Sequence, residues 1–280
     1  MRTHIAFLNI YLQEEVKADS ILDLMWPLMP GRADAHDMFE YYVGRGQVAR
    51  LQGYYSEQIE YLDSALIFAL REESAPHLHG LAYFELANAY LKTENYTASL
   101  EMSLLSGQKF QEMGEGFYLA YAHGLSGSNY AELGQVDSAQ FYLEASNELF
   151  LKMGNTASAA YNNAILGNMH LQQGEVERAG EYLDPAFAEL FGPGSDPYIQ
   201  VLYAQTYTWM SLLHRARGNR ESAIQVAQEG MALLQSSGQE DRQVEMLEAL
   251  VKARLMDDVE MEQEFEALMA ARDEQLQREN

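Results

Sequence analysis

A turn-forming residue interrupts an otherwise helical pattern five times along this chain, at intervals close to 40 residues. The turn residues are Gly53, Glu94, Gly134, Gly174 and Gly218, and their successive differences are 41, 40, 40 and 44 residues. Repetition at a fixed period is typical of proteins that stack one structural unit, so that each copy buries the apolar face of the next. The pattern therefore predicts a series of helix pairs.

Small side chains recur at fixed distances from each turn residue. Seven residues before it lie Gly46, Ala87, Gly127, Gly167 and Ser211. Five residues after it lie Gln58, Ser99, Ala139, Ala179 and Ala223, and twelve residues after it lie Ala65, Ser106, Ser146, Ala186 and Gly230. Small residues allow two helices to approach closely. The turn glycine is expected to end one helix in a left-handed conformation and to permit an antiparallel turn.

These positions also carry a family resemblance. The segments LANAYLKTENYTASLEMS (86–103), LSGSNYAELGQVDSAQFYLEAS (125–146) and LGNMHLQQGEVERAGEYL (166–183) resemble the tetratricopeptide repeat (TPR), and the resemblance covers residues 38–240. It implies an all-α, right-handed superhelical solenoid of antiparallel helix pairs, with about 14 helices. The family period is about 34 residues, so a period near 40 implies the extended-helix variety found in bacterial signalling regulators and polarity adaptors. Departures from the family pattern are Glu94 at a glycine position, Gln58 at a small position, and His170 and His214 at tyrosine positions.

The repeat predicts one solenoid over residues 1–280. Its expected parts are a degenerate N-terminal pair at 1–37, repeats at 38–76, 77–117, 118–157, 158–197 and 198–239, and a C-terminal capping pair at 240–280. The last helix places Met261, Phe265, Leu268, Met269 and Leu276 on one face, which suits a cap; a dimer interface and a connector to a following domain are the alternatives.

Two proline-containing segments modify this pattern. FGPGSDPY (191–198) is interpreted as a longer loop between repeats, since the repeat resumes in phase after it. Pro185 lies near the middle of its helix and is expected to kink that helix or to end its first half.

Charge and composition exclude several classes of function. The formal net charge is −24, whereas nucleic acids and anionic membranes require a basic surface. The chain contains no cysteine, which excludes disulfides, thiol catalysis and cysteine zinc sites. No apolar run approaches the roughly 20 residues of a transmembrane helix, and no signal-peptide cleavage site follows the first apolar stretch. We expect a cytoplasmic protein, with the periplasmic part of a membrane-anchored sensor as the alternative.

The histidines are the residues that most invite a metal hypothesis. His77 and His79 are interpreted as part of a polar loop between repeats, and His170 and His214 as rings in slots that tyrosine usually fills. No phosphate-binding glycine loop and no activated serine is found. The sequence predicts no enzyme, no cofactor and no metal site.

In proteins of the TPR family the first helix of each pair lines the inner groove, and residues six before the turn often include asparagine, whose amide can bind an extended peptide backbone. The corresponding candidates, with polar or aromatic residues on neighbouring turns, are Gln47, Arg50, Phe84, Asn88, Lys92, Ser128, Asn168 and Arg215. Ordinary solvent exposure explains any single one of them equally well.

The leading hypothesis is a non-catalytic protein–protein interaction scaffold that binds a peptide or a partner segment in its concave groove. The alternative is a ligand-sensing or regulatory TPR segment of a larger bacterial signalling protein, such as a transcription regulator or a sensor kinase. The expected partner is a protein or peptide, with neither direct nucleic-acid contact nor membrane contact, and a homodimer through the C-terminal helix is possible in either case.

Overall fold

The computed structural model describes residues 15–28, 33–72 and 75–237. Within these ranges every regular element is helical, with twelve α-helices, one short 3-10 turn and no strand. This confirms the predicted all-α class, although the helices number twelve in the described ranges against about 14 expected. Residues 240–280, where the capping pair and the possible dimer helix were predicted, lie outside the described residues, as do residues 1–14.

The helices fall into two compact units, residues 1–135 and residues 136–278. The first unit contains α1 (Glu15–Met25) with the 3-10 turn Trp26–Leu28, α2 (Ala35–Leu51), α3 (Tyr55–Arg71), α4 (Pro76–Lys92), α5 (Tyr96–Met113) and α6 (Gly116–Glu132). The second contains α7 (Val136–Lys152), α8 (Thr156–Gln172), α9 (Val176–Phe191), α10 (Pro197–Leu202), α11 (Gln205–Ala216) and α12 (Arg220–Ser237). The single domain over 1–280 stays a prediction.

Neighbouring helices in the chain pack as pairs inside each unit. In the first unit α2 packs on α3 and α4 packs on α5; in the second α8 packs on α9 and α11 packs on α12. The first helices of successive pairs also touch one another, α2 with α4, α4 with α6, and α8 with α11. A continuous row of first helices therefore runs through each unit.

The predicted turn residues are left-handed. Gly174 has φ +77°, its N–H donates to the Leu171 carbonyl at 3.0 Å, and the next N–H, of Glu175, donates to the His170 carbonyl at 3.0 Å. These two bonds satisfy carbonyls that the end of α8 would otherwise leave unpaired. Glu94 adopts the same conformation, with φ +59°, and is the one non-glycine residue with positive φ in the described ranges.

Left-handed glycines also lie between the pairs, where the repeat pattern did not predict them. Gly114, Gly154 and Gly194 have φ values of +72°, +73° and +92°. From Gly114 to Gly194 a left-handed glycine occurs every 20 residues, alternating between turns inside a pair and turns between pairs. The structural step is thus one helix with its turn, and the 40-residue repeat contains two such steps.

The small residues do bring helices into close contact. A Cβ on Gly167 would stand 2.6 Å from Leu183 Cγ and 3.0 Å from the Ala179 carbonyl oxygen on α9. Where serine takes one of these positions, its hydroxyl bonds the facing helix: Ser99 Oγ donates to the Ala87 carbonyl at 2.7 Å. The predicted close approach at seven residues before and five after the turn is confirmed.

The structure corrects the loop prediction for two histidines and adds two further local findings. His77 and His79 lie in the first turn of α4, not in a loop, because Pro76 begins the helix at a position where its missing N–H costs nothing. Of the two alternatives predicted for Pro185, an end to the helix is wrong, because α9 continues through it; the kink stays a prediction. The first helix of the fifth pair is divided into α10 and α11 at Tyr203 and Ala204.

Candidate functional site on the first helices

Three of the side chains that join α2 to α4 form a hydrogen-bonded chain in the first unit. Gln47 Nε2 donates to Glu85 Oε2 at 2.6 Å, and Arg50 Nε donates to Gln47 Oε1 at 2.8 Å. Gln47 and Arg50 lie one helical turn apart on α2, whereas Glu85 lies on α4. The glutamine amide therefore connects a cation on one repeat with a carboxylate on the next.

The electrostatics of this chain are set by the carboxylate. Burial raises the pKa of Glu85 above its ordinary value of 4.5, while the Arg50 charge and the Gln47 hydrogen bond act in the opposite direction. Arg50 itself is exposed. The first helices thus carry a partly buried acid that a single exposed cation and one amide stabilise.

A group of aromatic rings lies further along the same row of helices. The Phe84 ring on α4 meets the Tyr121 ring on α6 with centroids 6.5 Å apart and planes at 71°. Phe117 packs edge-on against Tyr121 at 5.1 Å. We call Phe84, Phe117 and Tyr121 the aromatic patch. Phe117 is 52% exposed, so one phenyl ring of the patch faces solvent.

Asn88 lies one turn after Phe84 on α4, and its side-chain N–H donates to the Phe84 carbonyl at 2.9 Å. This bond fixes the orientation of the amide beside the aromatic patch. An amide offers two N–H donors and an oxygen acceptor, so one bond to its own helix does not exhaust it.

Beneath the patch, further rings hold α6 in place. Phe117 also contacts Tyr118 edge-on at 5.3 Å, and Tyr118 stacks on the fully buried Phe110 at 4.8 Å. Phe110 fits because Gly80 has no side chain: a Cβ there would stand 2.8 Å from its ring. The exposed ring therefore rests on a rigid base.

In the second unit, the row formed by α8 and α11 carries a different aromatic cluster. The Tyr161 ring stacks on Tyr203 at 4.5 Å and lies nearly parallel to Trp209 at 5.9 Å. Tyr161 Oη donates to Gln205 Oε1 at 3.2 Å, and the hydroxyls of Ser158 and Tyr203 are 3.0 Å apart. Tyr203 and Trp209 are buried, so this cluster mainly packs the divided helix against α8.

The remaining candidates also lie on the first helices. Lys92 is exposed in the last turn of α4, and Ser128 is half-buried on α6. In the second unit, Asn168 is half-buried on α8 and Arg215 is exposed in the last turn of α11. Of the eight predicted residues, the structure joins Gln47 to Arg50 and Phe84 to Asn88.

Sequence reasoning missed several residues of these rows, namely Glu85, Phe117, Tyr121, Tyr161 and Trp209. A signal did exist for two of them, since Tyr121 and Tyr161 both lie thirteen residues before a turn glycine. Phe84 lies ten residues before the turn residue Glu94, so these tyrosines lie about one helical turn earlier in the repeat. No sequence signal distinguishes Glu85 from the rest of the 42 Asp and Glu residues in the chain.

The histidines have other roles in the described ranges. His170 is buried, stacks on Tyr182 at 5.5 Å, and its Nδ1 lies 2.9 Å from Glu175 Oε2. It occupies the tyrosine slot as expected.

Burial lowers the pKa of His214 below 6.5, Arg217 lowers it further, and Asp184 opposes this effect. Across the described part of the chain, no three metal-ligating side chains come together, and no helix there is long and apolar enough to cross a bilayer.

Comparisons with known proteins identify the fold. No protein-family model matches this sequence, and no curated protein matches it. Among solved structures, NprR in complex with its cognate peptide NprX is 15% identical, with a TM-score of 0.77 over 99% of this chain and 78% of that chain. The Rap conjugation gene regulator of plasmid pLS20 in complex with the Phr* peptide is 13% identical, with a TM-score of 0.71 over 97% of this chain and 84% of that chain.

A third similar structure is aspartyl phosphate phosphatase F from Bacillus subtilis, which is 16% identical, with a TM-score of 0.66 over 95% of this chain and 74% of that chain. These proteins are TPR-like helical repeat proteins. The chain therefore has the TPR-like solenoid fold that its repeat pattern predicts.

Proposed function

We propose that this chain is a non-catalytic interaction scaffold that binds a peptide, or an extended segment of a partner protein, on its rows of first helices. The observation that carries the proposal is the likeness over 99% of the chain to NprR, whose structure contains a bound peptide. The pLS20 Rap protein, also similar over almost the whole chain, likewise contains a peptide.

The first helices of this chain supply groups that suit such a ligand. Asn88 presents an oriented amide that can bind a peptide backbone through both donor and acceptor. The aromatic patch next to it offers rigid apolar area at low entropic cost. In the second unit, Asn168 lies at the equivalent position, six residues before the turn.

Net charge defines the complementary partner. A chain with a formal charge of −24 attracts neutral to basic peptides and repels acidic ones. We place the protein in the cytoplasm, with the periplasmic part of a membrane-anchored sensor as the alternative. Its role as a regulatory segment of a larger signalling protein stays a prediction.

The non-catalytic part of the proposal is tested separately, because one similar structure bears the name of an aspartyl phosphate phosphatase. Purified chain is incubated with acetyl phosphate and with phosphorylated response-regulator receiver domains, and phosphate release is measured. No acceleration is expected; dephosphorylation that depends on the chain would contradict this part of the proposal.

Binding is tested with a synthetic library of random heptapeptides selected on the immobilised full chain. Peptides recovered from the selection are labelled, and their affinity is measured by fluorescence anisotropy. The double variant Asn88→Ala/Asn168→Ala should weaken binding about tenfold or more, since each lost amide removes hydrogen bonds to the backbone.

The matched control replaces amides that lie on second helices, Gln108→Ala/Gln140→Ala. Gln108 bonds Glu112 and Gln140 bonds Glu144 on their own helices, so their loss should leave peptide affinity unchanged. If both double variants bind peptide as the unmodified chain does, the first-helix face is not the binding site.

A further inference from the structure

The aromatic patch on α4 and α6 has a geometry that goes beyond general peptide binding. Its outermost ring, Phe117, is 52% exposed, yet it is not a loosely attached surface residue. It packs edge-on against both Tyr118 and Tyr121, at 89° and 62°. A half-exposed ring that two neighbours hold presents apolar surface in a defined orientation.

The surroundings of the patch give that exposed surface a chemical preference. Phe84 meets Tyr121 nearly edge-on, at 71°, so the patch consists of rings whose planes are strongly inclined to one another. Another planar ring placed among them can form edge-to-face contacts, which contribute about 0.5–1.5 kcal/mol beyond area burial, whereas an aliphatic side chain cannot.

Charge sets a second preference. Glu85 directly follows Phe84 on α4, and the whole chain carries a formal net charge of −24. A basic group next to the aromatic side chain of a ligand would therefore be attracted to this chain.

From these observations we infer that the aromatic patch is the specificity site for the ligand: it takes an aromatic side chain of a basic peptide, with Phe117 as the contacting ring and Asn88 binding the adjacent backbone. This inference rests on the proposed function and adds the chemical class of the peptide. Tyr121 acts as a positioning residue because it packs directly against Phe117, and Phe84 acts through Tyr121, against which it packs in turn.

The chain offers a matched control for Phe117. Phe141 on α7 is also an exposed phenylalanine, at 64%, and packs edge-on against its neighbour Tyr142 at 5.2 Å. It lies on a second helix in the other unit. Substitution of either residue by alanine removes one exposed phenyl ring, so the two variants differ in the position of the lost ring.

The test uses the heptapeptides recovered from the random library on the full chain. Their sequences should be enriched in Trp, Tyr or Phe at one position and in Lys or Arg beside it. Phe117→Ala should weaken a labelled recovered peptide at least about tenfold, and Phe141→Ala should leave its affinity unchanged. Urea unfolding of both variants shows whether the fold is retained.

A double-mutant cycle separates direct contact from indirect effects. Replacing the aromatic residue of the peptide by alanine should weaken binding to the unmodified chain, but should have little further effect on Phe117→Ala, because the partner ring is already absent. Additive losses would overturn the inference, as would recovered peptides without an aromatic preference.

The two proposals fail in different ways. Peptides that bind tightly but are insensitive to Phe117→Ala overturn the inference and leave the proposed function standing. A library that yields no binder above background overturns the proposed function and this inference with it.

Discussion

Gln47 on α2 donates a hydrogen bond of 2.6 Å to the carboxylate of Glu85 on α4, across 38 residues of sequence. The bond joins the first helices of two successive repeats. Arg50 donates to the same glutamine amide, and its charge acts to lower the pKa of the partly buried Glu85. Because burial raises the pKa of Glu85, the folded protein holds this proton more tightly than the unfolded chain does.

A dependence of stability on pH follows from that difference. The contribution of Glu85 is fully present below pH 4.5, its ordinary pKa, and is lost as the pH rises through the raised value. Glu85→Gln should therefore be more stable than the unmodified protein at pH 7.5 and no more stable at pH 4. Urea unfolding at the two pH values measures the difference, with the exposed Glu144→Gln as control; an equal gain at both pH values would contradict the assignment.

Helix contact at Gly167 gives a second prediction. Gly167→Ala places a methyl group 2.6 Å from Leu183 Cγ and 3.0 Å from a backbone carbonyl of α9, so the two helices must separate. We expect a loss of about 1–3 kcal/mol in the free energy of unfolding. Gly116→Ala is the control, since nothing lies within 4 Å of its added Cβ; it should be neutral or slightly stabilising. Equal behaviour of the two variants would show that close approach is not needed.

The left-handed turns give a third prediction, which isolates backbone conformation from packing. No atom lies within 4 Å of a Cβ built on Gly174, whose φ is +77°. Gly174→Ala should cost about 1–2 kcal/mol through the left-handed conformation alone. Glu94→Gly, at φ +59°, is the reverse change and should stabilise by up to about 1 kcal/mol. Thermal unfolding of both variants should shift the midpoint in opposite directions; shifts of the same sign would contradict this account.

His214 gives a prediction at mildly acidic pH. Burial lowers its pKa below 6.5, so the folded state favours the neutral ring. The stability that this residue contributes is present above pH 6.5 and is lost as the pH falls towards the lowered pKa. His214→Gln should flatten the stability profile below pH 6.5. The exposed His36→Gln serves as control; if it flattens the profile equally, burial of His214 is not the cause.

The sequence predicted the helical class, the turn positions and the close helix contacts because each depends on local chemistry. Glycine is one of the few residues that adopt positive φ without strain. A small residue such as Gly167 indicates that the neighbouring helix approaches closely at that position. Glu94 was identified as a turn residue only by its position in the 40-residue repeat, since its side chain gives no indication of a left-handed turn. The prediction at Glu94 therefore depended on the repeat and not on the residue.

The contacts along the rows of first helices were harder to predict. Whether Gln47 meets Glu85 depends on the rotation of α2 relative to α4, which is a property of packing and not of either helix. The division of the fifth first helix at Tyr203 and Ala204 has no breaker residue to mark it; Tyr203 is held there by Tyr161 and Ser158 from α8. Tertiary contact thus overrides local helix propensity at this point.

The 20-residue step from one left-handed glycine to the next has a consequence for how such a chain can change in length. Adding a single step within a unit would reverse the direction of every later helix of that unit and exchange first helices for second ones, which would interrupt its row of first helices. Only the addition or loss of an even number of steps keeps each later first helix in that row. Duplication or loss of whole repeats is therefore expected to proceed in blocks of two steps, and each block lengthens or shortens the row by one first helix.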